Sequence, residues 1–244
     1  MKRIIVATTF ILTLALVPLS VSAQSQSRED ALKELKAKRA ELAALEFKIL
    51  DVSDSDREAN AVVLGGADTG IIRLLPRETY DRKLMTMNGG GAYYSFTRST
   101  HEYGQGSDIS LESGMLSVGF AGADYGMLLN LGDISLDRVT PDVPAVRALL
   151  DYTPPVKEAK ARQEYQNLWQ GLELSGFTFK NRLSARVSNT YLLRSISYER
   201  SDIATAVRVV RQDTDGSLIM VFKVLKRFPS PDFERTKTVA VDNN

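Results

Sequence analysis

Three runs near the C-terminus constrain this chain more than any other feature: "TYLLRSISYE" (190–199), "IATAVRVVRQ" (203–212) and "SLIMVFKVLKRF" (217–228). Each is rich in β-branched and aromatic residues, and they are joined by the turn-like "RSD" and "DTDGS". Side chains alternate between the faces of a strand. Ile203, Thr205, Val207 and Val209 therefore share one face, and Leu218, Met220, Phe222 and Val224 share the corresponding face of the next strand. The pattern predicts a three-stranded antiparallel meander. Arg194, Arg200, Arg208, Arg211 and "KVLKRF" (223–228) would give it a basic outer face that solubilises the sheet and guards its edges.

Shorter runs of the same kind precede the meander: "GIIRLL", "AYYSFTR", "DISLE", "MLSVGF", "YGMLLNL", "LELSGFTF" and "RLSARVS". Gly, Asp, Asn and Ser punctuate them. The expected fold class is mainly β, an antiparallel sheet that is sandwich- or barrel-like, with an N-terminal amphipathic helix and a short internal helix. The β-rich domain is placed at 61–235, with an internal boundary at 141–170 and a flexible tail at 236–244. Four prolines between Pro141 and Pro155 argue for a connection or one helical turn there. Residues 157–170 read as the internal helix, with Ala161, Tyr165, Leu168 and Trp169 on one side and Gly171 as its stop.

Residues 24–50 form the N-terminal helix. Within 27–50, Leu32, Leu35, Leu42, Leu45 and Ile49 recur at helical spacing, Ser27 suits an N-cap, and Glu29 to Lys33 and Glu34 to Lys38 are favourable pairs. The sevenfold spacing of Leu35, Leu42 and Ile49 fits a short self-associating seam, although its companion positions include Arg39 and Glu46. A homo-oligomer formed through residues 27–50 is therefore one expectation. "DVSDSDREAN" (51–60) is polar and aperiodic and reads as a linker.

The chain opens with Met1-Lys2-Arg3, an apolar run ending at Leu19, and small residues before a cut after Ala23. This is the layout of a signal peptide over 1–23, too short to span a membrane. The expected location is periplasmic or extracellular, with no transmembrane segment in the mature chain. Cysteine is absent, which removes disulfides, thiol nucleophiles and thiolate metal sites. The 31 basic and 30 acidic residues nearly cancel, and loss of Lys2 and Arg3 with the leader leaves the mature chain one charge negative. No field draws in nucleic acid.

"MNGGGAYYSFTRSTHEYGQGSD" (87–108) is the stretch most suited to a ligand. It combines three successive glycines, four aromatic residues and the only histidine. Tyr93, Tyr94, His101 and Tyr103, near Arg98, Glu102 and Gln105, would bind a sugar or peptide by stacking and hydrogen bonding. Gly89-Gly90-Gly91 lacks the Lys-Ser/Thr of a phosphate loop and points to a turn or a close backbone approach. His101 is also the one residue able to act as a histidine base, with Glu102 or Asp108 orienting it and Ser95, Ser99 or Ser107 as nucleophile.

Asp68-Thr69-Gly70 resembles the triplet of the retroviral-type aspartic proteases. Such enzymes need two carboxylates, which here would have to come from a homodimer. The flanking residues depart from that pattern, and a tight turn feeding "IIRLL" explains them more simply. Asp213 and Asp215 could begin a calcium loop, but position twelve counted from Asp213 is Val224 rather than Glu. No cofactor or metal is expected. The reading is an exported, non-enzymatic module that binds a glycan, a peptide or an envelope protein, with a hydrolase using His101 or, less favoured, Asp68 as the alternative.

Overall fold

A computed structural model describes residues 19–80, 91–101, 103, 106–120 and 123–234, with side chains from residue 27 onward. The expected leader at 1–23 lies mostly outside these residues and the expected tail at 236–244 entirely so. The chain divides into a unit of residues 1–45 and a unit of residues 46–244.

Helix α1 runs from Leu19 to Leu50. Ser27 is thus inside the helix and does not cap it. In residues 19–45, Lys38 pairs with Glu34 at 3.6 Å, while Lys33 takes Asp30 at 3.8 Å rather than Glu29. Leu32, Leu35 and Leu45 are exposed. Among the described residues, no helix is long and apolar enough to cross a membrane.

In the second unit, the segment 51–60 expected to be a polar linker folds into α2 (Asp54–Ala59), and α3 (Ala61–Leu64) follows it directly. The Ser53 hydroxyl accepts from the Asp56 amide at 3.2 Å, and Asp54 and Asp56 sit in the positive first turn. Acids that look like a solvated tether are the start of a capped helix. Asp56 is itself buried and accepts from Arg211 at 2.6 Å, and Val52 is also buried.

The sheet-rich fold is built from β1 (Thr69–Leu74), β2 (Tyr93–Tyr94), β3 (Ile109–Glu112), β4 (Met115–Ser117), β5 (Tyr125–Gly132), β6 (Leu172–Leu174), β7 (Phe177–Phe179), β8 (Arg182–Ser184), β9 (Thr190–Ser197), β10 (Ser201–Gln212) and β11 (Leu218–Phe228). All their pairings are antiparallel. A five-stranded sheet has the order β1-β11-β10-β9-β5, a four-stranded sheet has the order β2-β3-β4-β8, and β6-β7 is a separate hairpin. The predicted meander is its β9-β10-β11 centre. "AYYSFTR" is a strand only at Tyr93–Tyr94, after which the chain folds back so that Ser95 bridges Thr100.

Two cores follow from the alternation of side chains in the large sheet. Ile203, Val207, Val209, Leu218, Met220 and Phe222 meet Ile109, Leu111, Leu116 and Tyr94 of the small sheet. A single-turn helix, α4 (Arg77–Tyr80), follows β1; on the opposite face, Leu192, Ile196, Ala204, Ala206 and Val221 pack against helices α5 (Pro144–Asp151) and α6 (Glu158–Gln170). The proline-rich segment is therefore a two-turn helix. Pro144 sits in its first turn, where a missing N–H costs nothing.

Arg194 fastens these helices and does not join a basic face. It is 1% exposed, forks onto Asp202 at 2.8 and 2.7 Å, and donates to the carbonyls of Leu149 and Tyr152 at 2.9 and 2.6 Å. Its guanidinium lies 3.8 Å from the Phe228 ring centroid. Tyr152 in turn shares a hydrogen bond with Tyr125 at 2.5 Å and donates to Glu164 of α6. The helix bearing Trp169 is thereby tied to the sheet.

Candidate functional site

The small sheet has one face in the core, so its other face must carry whatever the strands place at alternate positions. In "DISLE", Ile109 and Leu111 point into the core and Ser110 is left for the outer face. Leu116 and Leu183 do the same for Ser117 and Arg182. The register aligns these residues: Tyr93 lies opposite Ser110, Ser110 opposite Ser117, and Ser117 opposite Arg182. One row therefore crosses four strands.

This row floors a cleft of about 200 Å³. Tyr103 and Phe120 stand edge-on to Tyr93, at 4.8 and 5.4 Å between ring centroids. Tyr165 and Trp169 of α6 line it as well, and the two are perpendicular at 6.5 Å. Ala161 and Leu168 anchor α6 in the core, whereas Trp169 is 56% exposed and Tyr103 54%. Of the four residues expected to share one side of that helix, Ala161 and Leu168 are buried, whereas Tyr165 and Trp169 line the cleft and Trp169 is exposed. Gly119 lies on the cleft wall with φ +80, and a Cβ there would come within 2.7 Å of the backbone of Tyr125 and Gly126, so only glycine keeps that wall in place. The Tyr103, Gly119 and Phe120 wall also borders a second cavity of about 220 Å³ that reaches Asp124, Ser195 and Ser197.

The polar groups of the cleft are unevenly matched. Arg77 donates to Glu112 at 3.2 Å. Arg182 donates to the Glu112 carbonyl oxygen at 3.3 Å, its Nε is buried without a partner, and among the described residues it forms no ion pair. Asn181 is only 4% exposed and lines the cleft. Buried polar groups ordinarily find partners, so the unpaired Nε of Arg182 points to a polar occupant.

The residues expected to bind a ligand divide between the two sides of the small sheet. Tyr93 and Tyr103 meet in the cleft. Tyr94 faces the core, 5.0 Å from the His101 ring, 5.3 Å from Phe96 and 6.1 Å from Phe222. Tyr94, His101 and Ser99 instead line a separate cavity of about 270 Å³ with Phe47, Leu50 and Ile72. Nε2 of His101 lies 2.7 Å from the Arg73 carbonyl oxygen, which assigns its proton to that nitrogen. Burial holds the His101 pKa below its ordinary value, partly offset by this bond.

Asp108 does not orient His101. Its Oδ2 accepts from the Phe96 and Thr97 amides at 2.7 and 3.3 Å and from the Ser95 hydroxyl at 3.3 Å, and burial raises its pKa against these bonds. Ser107 borders the second cavity, not that of His101, and Glu102 lies outside the described residues. Asp68 adopts φ +56 in an exposed turn and meets Arg227 at 3.8 Å. Asp213 accepts from Arg73 at 2.6 Å and Arg211 at 2.8 Å, and Asp215 accepts from Tyr80 and Ser217. Cations and hydroxyls of the protein thus occupy the oxygens that a calcium loop would need. Gly91 of the glycine run packs where a Cβ would strike Leu50 and Leu75 at 2.6 and 2.8 Å, so it serves the core; Gly89 and Gly90 lie outside the described residues.

Ser110, Ser117, Asn181, Arg182, Phe120 and Trp169 were not singled out by the sequence. For Ser110, Ser117 and Arg182 the signal is the polar half of an alternating strand, readable only once the strands are paired, whereas Phe120, Asn181 and Trp169 lie outside the strands. Compared with known protein families, with curated proteins and with solved structures, the chain matches none. The reading of the site rests on its own geometry.

Proposed function

We propose that this protein is an exported, non-enzymatic binding module that holds a glycan in the cleft over the outer face of the small sheet. The observation that carries this reading is the pair of solvent-open rings, Trp169 and Tyr103, standing over a polar floor of Ser110, Ser117, Asn181 and Arg182. A sugar ring presents C–H faces that stack on aromatic rings, and hydroxyls at its edge that pair with such a floor. A purely apolar ligand would leave the floor unpaired.

A binding role fits better than hydrolysis because Glu112 is the one carboxylate among the described residues lining the cleft, and Arg77 engages it. Glycoside cleavage generally needs two carboxylates flanking the bond. The layout of residues 1–23 supports export, and N-terminal sequencing of the protein recovered outside the cytoplasm checks it. Helix α1, with Leu32, Leu35 and Leu45 exposed, supplies self-association or docking to an envelope partner. Deleting residues 24–50 should then lower the mass seen by light scattering if the chain self-associates.

The test of the glycan reading is calorimetric titration with oligosaccharides and with unstructured peptides. Saturable binding of a saccharide that Trp169→Ala abolishes supports it. Binding of peptides alone, or saccharide binding that survives Trp169→Ala, overturns it.

A further inference from the structure

The floor of the cleft ends in a charge. Arg182 sits on β8 opposite Ser117, its guanidinium lines the cleft, and its Nε is buried. It offers five N–H donors, yet its one hydrogen-bonding partner among the described residues is the Glu112 carbonyl oxygen at 3.3 Å. Its Nε is fully buried and unpaired. The nearby carboxylate of Glu112 faces Arg77. A half-buried cation with no anion of its own is an expensive arrangement unless something supplies one. Asn181, beside it and almost wholly buried, adds an amide able to donate to the same group.

We infer that the cleft selects an acidic saccharide, with a carboxylate on the sugar anchored by Arg182 and steadied by Asn181. This rests on the reading of the cleft as a saccharide site and names its ligand class. A carboxylate matches the guanidinium because both are planar and two parallel N–H···O bonds can form at once. The rings supply affinity for any sugar face. Arg182 supplies the discrimination, and only toward sugars bearing the acid.

The experiment compares acidic saccharides with close neutral counterparts: chitotetraose against the peptide-free tetrasaccharide of alternating N-acetylglucosamine and N-acetylmuramic acid, whose lactyl ethers carry the carboxylates, and fully methyl-esterified against free oligogalacturonide. Titrations use the mature chain, the Arg182→Gln and Arg182→Lys variants, and Trp169→Ala, each first checked for an unchanged thermal melt. In at least one pair the free acid should bind about tenfold tighter or more than its neutral partner, as expected for charge-assisted bonds. Arg182→Gln should erase that difference by weakening the free acid far more than its neutral partner, and Arg182→Lys should restore part of it. Equal binding within both pairs, or a preference that Arg182→Gln leaves untouched, overturns the inference but not the glycan reading. Failure of every saccharide to bind overturns both. If Arg182→Gln melts early, Arg182→Lys carries the comparison: an undiminished acid preference with a monodentate cation overturns the bidentate anchor.

Discussion

Tyr93 and Tyr94 are chain neighbours on opposite sides of one sheet. The Tyr93 ring stands 4.8 Å from Tyr103 in the cleft, and the Tyr94 ring 5.0 Å from His101 against the core. Losses on the two sides of the sheet should therefore differ in kind. Tyr94→Ala is expected to destabilise the fold by about 3–5 kcal/mol, the usual cost of truncating a large buried ring. Trp169→Ala, on the exposed rim of the Tyr93 side, should shift stability by less than about 0.5 kcal/mol while weakening ligand binding. Chemical denaturation of the two variants checks the contrast. Equal destabilisation would contradict it.

Arg194 and Asp202 are 1% and 2% exposed by side chain and bind through two parallel bonds. Asp202→Ala strands a buried cation and should cost about 3–5 kcal/mol. The double variant Arg194→Met/Asp202→Leu removes both charges and should recover much of that loss. A double variant as unstable as the single one would show that the carbonyl and ring contacts of Arg194, rather than its charge pairing, hold α5 in place.

His101 gives stability a pH dependence of defined sign. Its folded pKa lies below the ordinary value of 6.5, chiefly because of burial. The unfolded chain therefore binds the proton more readily, and stability falls as pH drops from about 6.5 toward the folded value, then levels off. Above that window the full contribution is present. Melts of His101→Gln across this range should show a flatter slope than the parent chain, and an unchanged slope would count against burial as the cause.

Asp108 acts in the opposite sense. Burial raises its folded pKa above 3.8, so the folded chain holds that proton more tightly than the unfolded one. Its contribution grows as pH falls from the folded pKa toward 3.8 and is lost as pH rises through the folded value. Asp108→Asn keeps a carbonyl oxygen for the Phe96 and Thr97 amides and removes the titration. The acid arm of the melting curve should flatten in that variant, and an arm identical to the parent's would place the titration elsewhere.

The meander, the internal helix and the composition of the core were legible because alternation and helical spacing act locally along the chain. The cleft was not. Ser110, Ser117 and Arg182 each look like ordinary solvent-side residues, and only the pairing of β3, β4 and β8 sets them in one row with Tyr93. Arg194 misled for a related reason: a lone cation in a strand reads as outward-facing until Asp202, eight residues on, is brought against it by the β9-β10 hairpin. The acids at 54–58 looked like a tether because capping depends on the geometry of Ser53, not on periodicity.

Trp169 is the only tryptophan of the chain, so its emission reports the cleft and nothing else. The most direct test of the central claim is a fluorescence titration of the mature chain with the oligosaccharide pairs named above, run beside calorimetry on the same samples. The account predicts a saturable change in Trp169 emission whose midpoint agrees with the calorimetric one and is reached at lower concentration by the acidic sugar of a pair. Calorimetric binding with unchanged emission would put the ligand elsewhere on the molecule, and silence in both measurements would contradict the glycan reading itself.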